Sequence, residues 1–194
     1  RQSVKMLPWL GPTVARPFAL RSLAAEAART RTRWMQTTTT ATSSTRPPFE
    51  PRDPDWEQRV KASFLRQTFM AHLGATITHC SPGHVHIAVD ASPALLQQVG
   101  YFHAGVSTSI ADSAAGYASY TLFEPGTEVL STEFKVNLVN PGVGDRLEAR
   151  ARVIKPGKTL TVAAADVYGM FDDGSNEVHV ATMLATMMQL RPRF

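Results

Sequence analysis

Two hydrophobic periods alternate along residues 55–190, and their order predicts the architecture. Across residues 56–72, Val60, Phe64, Leu65 and Phe69 recur at helical spacing, and Asp55 stands where a carboxylate caps a helix start. Period-two stretches follow at residues 75–80 and 84–90, joined by Ser81-Pro82-Gly83. In the second, Val85, Ile87 and Val89 alternate with His84, His86 and Ala88, which predicts a strand buried on one face. Residues 92–99 read as a short helical turn. Four longer strands are predicted at 128–139, 145–154, 159–170 and 177–190, separated by Asn140-Pro141-Gly142, Lys155-Pro156-Gly157-Lys158 and Asp172-Asp173-Gly174. In the first of these, strict alternation assigns Leu130, Thr132, Phe134, Val136 and Leu138 to one face. Ser131, Glu133, Lys135 and Asn137 fall on the other. The last two strands are apolar on both faces, which marks central strands or strands that join a partner's sheet.

Between the two groups of strands, residues 101–122 break the period-two pattern and read as one buried helix. Its residues are small, Ala104, Gly105, Ser107, Ser109, Ala111, Ser113, Ala114, Ala115, Gly116 and Ala118 among them, so other backbone can approach from several sides. Gly116 costs about 1 kcal/mol against Ala inside a helix, which predicts a packing reason for it. Asp112 sits among apolar neighbours and must be paired, hydrogen-bonded or shifted in pKa. The order helix, two strands, helix, four strands defines an α+β fold with one mostly antiparallel sheet over a central helix at about residues 102–122.

The start of that helix, at His103, Ala104 and Gly105, offers free backbone N–H groups and a positive dipole end, which suit a carbonyl oxygen gaining negative charge. Asp112 lies nine residues beyond His103, half a turn round and about 13 Å further along the axis. One helix cannot bring both groups to one substrate atom. Two antiparallel copies can, so the spacing predicts a site shared between subunits.

Charge divides the chain. Of its 20 Lys and Arg and 16 Asp and Glu, residues 1–48 hold eight and one, so the high overall pI belongs to that segment and the remainder is net acidic. A nucleic-acid partner loses its main support. Residues 1–36 are rich in Arg, Ala, Ser and Thr, a composition expected of a mitochondrial transit peptide, with a cytoplasmic location expected instead if translation starts at Met35. Residues 37–54 read as a disordered linker and 55–194 as the folded domain. No run of 18 apolar residues is present, so no stable membrane insertion is expected. Cys80 is the single cysteine, and a packed or half-exposed thiol is expected of it. His84 and His86 share a face without a third ligand at a recognisable spacing, and no metal site is expected.

His103-Ala104-Gly105, the run Ile110-Ala111-Asp112-Ser113-Ala114-Ala115-Gly116-Tyr117-Ala118, the strand Leu130-Ser131-Thr132-Glu133-Phe134-Lys135-Val136-Asn137 and the turn Asn140-Pro141-Gly142 together resemble the PaaI-type hotdog-fold acyl-CoA thioesterases. The resemblance spans about residues 73–190. It implies a hotdog fold, in which an antiparallel sheet wraps around the central helix, and a homodimer, commonly a dimer of dimers. It assigns Asp112 as the carboxylate that acts as general base or nucleophile, Ala104 or Gly105 as the backbone donor to the thioester carbonyl, Ser131 as a positioner of water and Gln97 as the counterpart of an Asn in relatives. His103 corresponds to a residue that anchors the turn beside the substrate. Lys155, Gly157 and Lys158 correspond to a segment that meets the nucleotide end of coenzyme A. Here His-Ala-Gly replaces the family's His-Gly-Gly, and Gln replaces Asn.

The expected activity is therefore hydrolysis of acyl-CoA to free acid and coenzyme A, with no cofactor beyond the coenzyme A of the substrate. Two rivals stand beside it: a hotdog hydratase or dehydratase, and a non-catalytic acyl-CoA binding protein of the same fold.

Overall fold

The computed structural model describes residues 49–191. The expected transit peptide, and the expected linker up to residue 48, lie outside the described residues. Two short helices, α1 (Trp56–Leu65) and α2 (Thr68–Leu73), precede strands β1 (Thr76–Ser81) and β2 (His84–Asp90). A 3-10 turn at Pro93–Leu95 leads to the central helix α3 (Ala104–Tyr120). Then follow β3 (Glu128–Leu138), β4 (Arg146–Lys155), β5 (Leu160–Met170) and β6 (Val178–Leu190). All strand pairings are antiparallel, in one six-stranded sheet of order β1-β2-β4-β5-β6-β3.

The inner face of the sheet closes on α3. Val85, Ile87 and Val89 of β2, Leu147, Ala149 and Ala151 of β4, Ala163 and Ala165 of β5, and Met183 and Ala185 of β6 are buried with Ile110, Ala111, Ala114, Ala115 and Ala118 of the helix. Alanine on both surfaces lets helix and sheet approach closely. This is the hotdog arrangement, with β5 and β6 internal strands of the sheet as read, although their outer apolar face is not covered within the chain, Leu160 and Leu184 being 50 % and 52 % exposed.

Four local expectations are corrected. The helix expected over 56–72 is broken after Leu65, because Gln67 adopts an extended backbone (φ −78°, ψ 94°) that starts a second helix. Asp55 occupies the cap position of α1 but makes no side-chain cap bond; Asp53 accepts the Asp55 N–H on Oδ1 (2.9 Å) and pairs with Arg59 on Oδ2 (2.9 Å). Order also begins earlier than residue 55, since Asp53 is only 5 % exposed and Phe49 packs against the core and the His84 ring. Residues 49–54 thus belong to the folded unit and not to the linker.

The fourth correction concerns β3. A bulge between Ser131 and Glu133 shifts its register against β6, pairing Ser131 with Met187 and Phe134 with Ala185. Met187 and Ala185 both face the core, so Ser131 lies on the same side as Phe134, Val136 and Leu138. Strict alternation placed it on the opposite face. The extra residue turns Ser131 inward, toward α3.

Candidate active site

Asp112 lies midway along α3, half-buried, and its Oδ1 accepts a 2.7 Å hydrogen bond from Ser131 Oγ. Burial pushes the Asp112 carboxyl above its ordinary value of 3.8, and the Ser131 hydroxyl, which favours the charged form, offsets part of that rise. The pair opens into a cavity of about 230 Å³ lined also by Gln67, Met70, Gly116 and Tyr117. A carboxylate held at the edge of a cavity with a raised pKa is the arrangement a general base requires.

A second hollow, of about 430 Å³, surrounds the start of α3 and is lined by Gln97, Tyr101, Phe102, Ala104 and the Asn140-Pro141-Gly142 turn. It shares no lining residue with the first. His103 is the N-cap of α3, and its Nδ1 accepts the Gly105 N–H at 2.9 Å. Gly105 therefore has its donor engaged, while the Ala104 N–H makes no hydrogen bond among the described residues. Of the two donors expected at the helix start, the geometry leaves Ala104 available. His103 acts as the anchor of the turn. Gln97, and not its neighbour Gln98, faces this hollow; its Oε1 accepts the Val99 N–H (2.8 Å), which orders the loop before the helix.

The expected residues thus fall into two groups within one chain. Asp112 and Ser131 are together; Gln97, His103, Ala104 and Gly105 are together elsewhere. Ala104 and Asp112 are eight residues apart, about 12 Å along the axis. Lys155, Gly157 and Lys158 form a third group in the β4–β5 turn, with both lysines exposed. A Cβ at Gly157 would stand 1.9 Å from Leu160 O, so the tight turn by itself demands glycine. The strand rows carry this turn toward the Asp112 end of the sheet, since Thr161 pairs with Met187 and Met187 with Ser131.

Other candidates fall away from both hollows. His84 and His86 pair with Arg152 and Arg150 on the sheet's outer face, and among the described residues no group of three or more His, Cys, Asp or Glu is placed to hold a metal ion. Burial pushes the Cys80 thiol pKa up, which disfavours the reactive thiolate. Among the described residues no helix is long and apolar enough to cross a membrane. Among the described residues Gly116 has no close backbone neighbour outside its own helix, a Cβ there meeting only Val129 Cγ2 at 3.9 Å, and its missing side chain widens the Asp112 cavity.

Sequence reasoning did not reach Gln67, Met70 and Tyr117. Their trace is a phase change, since Val60 and Phe64 are followed by Met70 and Leu73 and not by a continuation of the first stripe.

Comparison with known proteins agrees with the fold and the class. Residues 99–169 match the profile of the thioesterase superfamily. A thioesterase family protein from Silicibacter pomeroyi, known from its crystal structure, is 48 % identical, with a TM-score of 0.68 over 71 % of this chain and 99 % of that one. The PaaI protein of the Escherichia coli phenylacetic acid degradation operon shares the fold at 21 % identity, with a TM-score of 0.60 over 70 % of this chain and 94 % of its own. A Haemophilus influenzae thioesterase does so at 19 % identity and a TM-score of 0.59, over 66 % and 87 %. The domain is a hotdog fold of the PaaI type. The chain belongs to the thioesterase superfamily and is by class a thioester hydrolase.

Proposed function

We propose that the protein hydrolyses acyl-CoA thioesters as a homodimer, each site taking Asp112 from one subunit and the Ala104 N–H from its partner. The observation that carries this reading is the Asp112 carboxyl, half-buried at the edge of a cavity and oriented by Ser131 Oγ. Three further features support a shared site. The β3 strand is a sheet edge with one side unpaired, and its inward-facing Phe134 and Leu138 are 42 % and 54 % exposed, as expected of a surface that a partner covers. The least covered stripe of α3, Ala104, Gly105, Thr108, Ser109, Asp112 and Ser113, runs along one face at four-residue spacing. A two-fold axis that pairs β3 with β3 sets these stripes antiparallel, so that each helix start meets the other helix's Asp112.

In this reading Asp112 takes a proton from water as the water oxygen bonds to the thioester carbon. The carbonyl electrons move to oxygen, and the Ala104 N–H of the partner, at the positive end of α3, stabilises that charge. Collapse of the intermediate breaks the carbon–sulfur bond, and the coenzyme A thiolate leaves and takes up the proton. Lys155 and Lys158 supply positive charge for the coenzyme A phosphates; replacing both by Ala raises KM for acyl-CoA with little change in kcat if they do, and leaves KM unchanged if they do not.

The deciding experiment incubates the purified protein with saturated acyl-CoAs from acetyl to palmitoyl and, separately, with the enoyl thioester crotonyl-CoA, and titrates free thiol. Release of thiol, lost in Asp112→Asn, supports the reading. Binding of acyl-CoA without thiol release returns the chain to the non-catalytic rival, and loss of an enoyl chromophore without thiol release returns it to the hydratase.

A further inference from the structure

One wall of the Asp112 cavity takes no part in the chemistry above. Tyr117 is 2 % exposed, its ring set edge-on against Phe64 and Tyr120 with centroids 5.6 and 6.2 Å away. Its hydroxyl accepts from Gln67 Nε2 at 2.9 Å and lies 3.3 Å from Ser63 Oγ. Gln67 is held at the break between α1 and α2, where its backbone N–H bonds Phe64 O and its C=O accepts from Ala71. Its side-chain Oε1 has no partner among the described residues. Burial raises the Tyr117 pKa, so the hydroxyl stays protonated at every physiological pH.

Ser109 and Ser113 also line the cavity, and the remainder of its lining is apolar or absent. Met70 and Val129 flank the cavity, and Gly116 presents no side chain between Asp112 and Tyr117. Five residues separate Asp112 from Tyr117, about 7.5 Å along the helix. An acyl group whose carbonyl lies at Asp112 can therefore extend past Gly116 for about that distance before it meets a tyrosine hydroxyl and a carboxamide. A methyl group arriving there covers the Gln67 amide and bonds to nothing. A hydroxyl donates to Gln67 Oε1.

We infer that Gln67 and Tyr117 close the acyl pocket of this enzyme and select acyl groups of about six carbons that carry a hydrogen-bonding group at the far end over plain alkyl groups of that length. The inference rests on the thioesterase reading for the direction in which the acyl group runs. A longer alkyl chain must part the Gln67–Tyr117 hydrogen bond.

The test compares kcat/KM for 6-hydroxyhexanoyl-CoA and hexanoyl-CoA in the wild type, Tyr117→Phe and the double variant Gln67→Leu/Tyr117→Phe. The wild type is expected to favour the hydroxylated thioester by about tenfold or more, Tyr117→Phe to narrow the ratio and the double variant to reverse it. A ratio of one or less in the wild type, or a high ratio that both variants keep, overturns the inference. Tyr117→Phe retains the ring contacts and carries the test if the double variant does not fold. If no thioester is hydrolysed, the thioesterase reading fails separately, and the pocket is judged from Kd values of the thioethers S-(6-hydroxyhexyl)-CoA and S-hexyl-CoA. A tenfold preference for the hydroxylated thioether then upholds the pocket, and equal affinities overturn it.

Discussion

Ser131 Oγ donates a 2.7 Å hydrogen bond to Asp112 Oδ1, and it does so because a single bulged position in β3 turns the serine toward the central helix. The bond joins the strand and helix on which the proposed chemistry depends. It also opposes burial in setting the pKa of the carboxylate.

The first prediction follows from that opposition. Asp112 must be ionised to act as base, so activity falls on the acid side as the carboxyl protonates, at a pH above the ordinary aspartate range. Ser131→Ala removes the bond to the charged form and leaves burial in place, so the pKa rises further. The acid limb of the kcat profile is expected to move to higher pH. A limb that stays in place or moves down rejects Ser131 as the partner that tunes the base.

Asp112→Asn separates catalysis from stability. Loss of a positioned base lowers kcat by about 10²-fold or more. The folded-state pKa of Asp112 is raised above 3.8, so the native state holds the proton more tightly than the unfolded chain does, and the stability this confers is present below 3.8 and lost as pH rises through the folded value. A neutral Asn escapes that loss. The variant should therefore unfold at higher denaturant than the wild type at pH 8, with the gap closing toward pH 4. A variant less stable at pH 8 contradicts the assigned cause of the shift.

Much of this was legible from the sequence. Turn residues and period-two alternation placed all six strands within a residue or two, and the small residues of 101–122 marked the helix the sheet wraps. The site was legible where it depended on one continuous segment, as with Asp112 and the His103 turn. It was not legible where one residue of slippage decides a direction. Alternation puts Ser131 outward, and only pairing against β6 shows the bulge that turns it in. Likewise the break at Gln67 depends on tertiary contacts to Tyr117, fifty residues away, which no local pattern encodes.

Arg59 supplies a prediction about the fold. Its guanidinium donates to Glu124 O (2.7 Å), Phe123 O (2.9 Å) and Tyr120 O (3.2 Å), and it lies over the Tyr120 ring, 4.4 Å from the centroid. Its Nε faces Asp53 Oδ2 at 2.9 Å as an ion pair, not aligned as a hydrogen bond. One side chain thus satisfies carbonyls at and just beyond the C-terminus of α3 and pairs with a buried carboxylate. Arg59→Ala should lower unfolding free energy by about 2–4 kcal/mol, measured by urea titration at fixed protein concentration. Lys restores little, because a point ammonium cannot span three carbonyls. A loss below about 0.5 kcal/mol, the scale of an ordinary surface change, rejects this role.

The central claim is that each active site needs two chains, and Ala104 allows a direct measurement of it. Ala104 is the first residue of α3, where proline is well tolerated, and His103 before it is already extended (φ −63°, ψ 137°), as a residue preceding proline prefers. Ala104→Pro therefore deletes the donor N–H and keeps the helix. Differently tagged Asp112→Asn and Ala104→Pro chains are co-expressed, mixed dimers are isolated by tandem affinity, and thiol release is measured. Each mixed dimer joins the intact Asp112 of one chain to the intact Ala104 N–H of the other, so it regains one working site in two. The account predicts about half the wild-type activity per mixed dimer, with both parents near background. Mixed dimers that form and remain no more active than their parents contradict it.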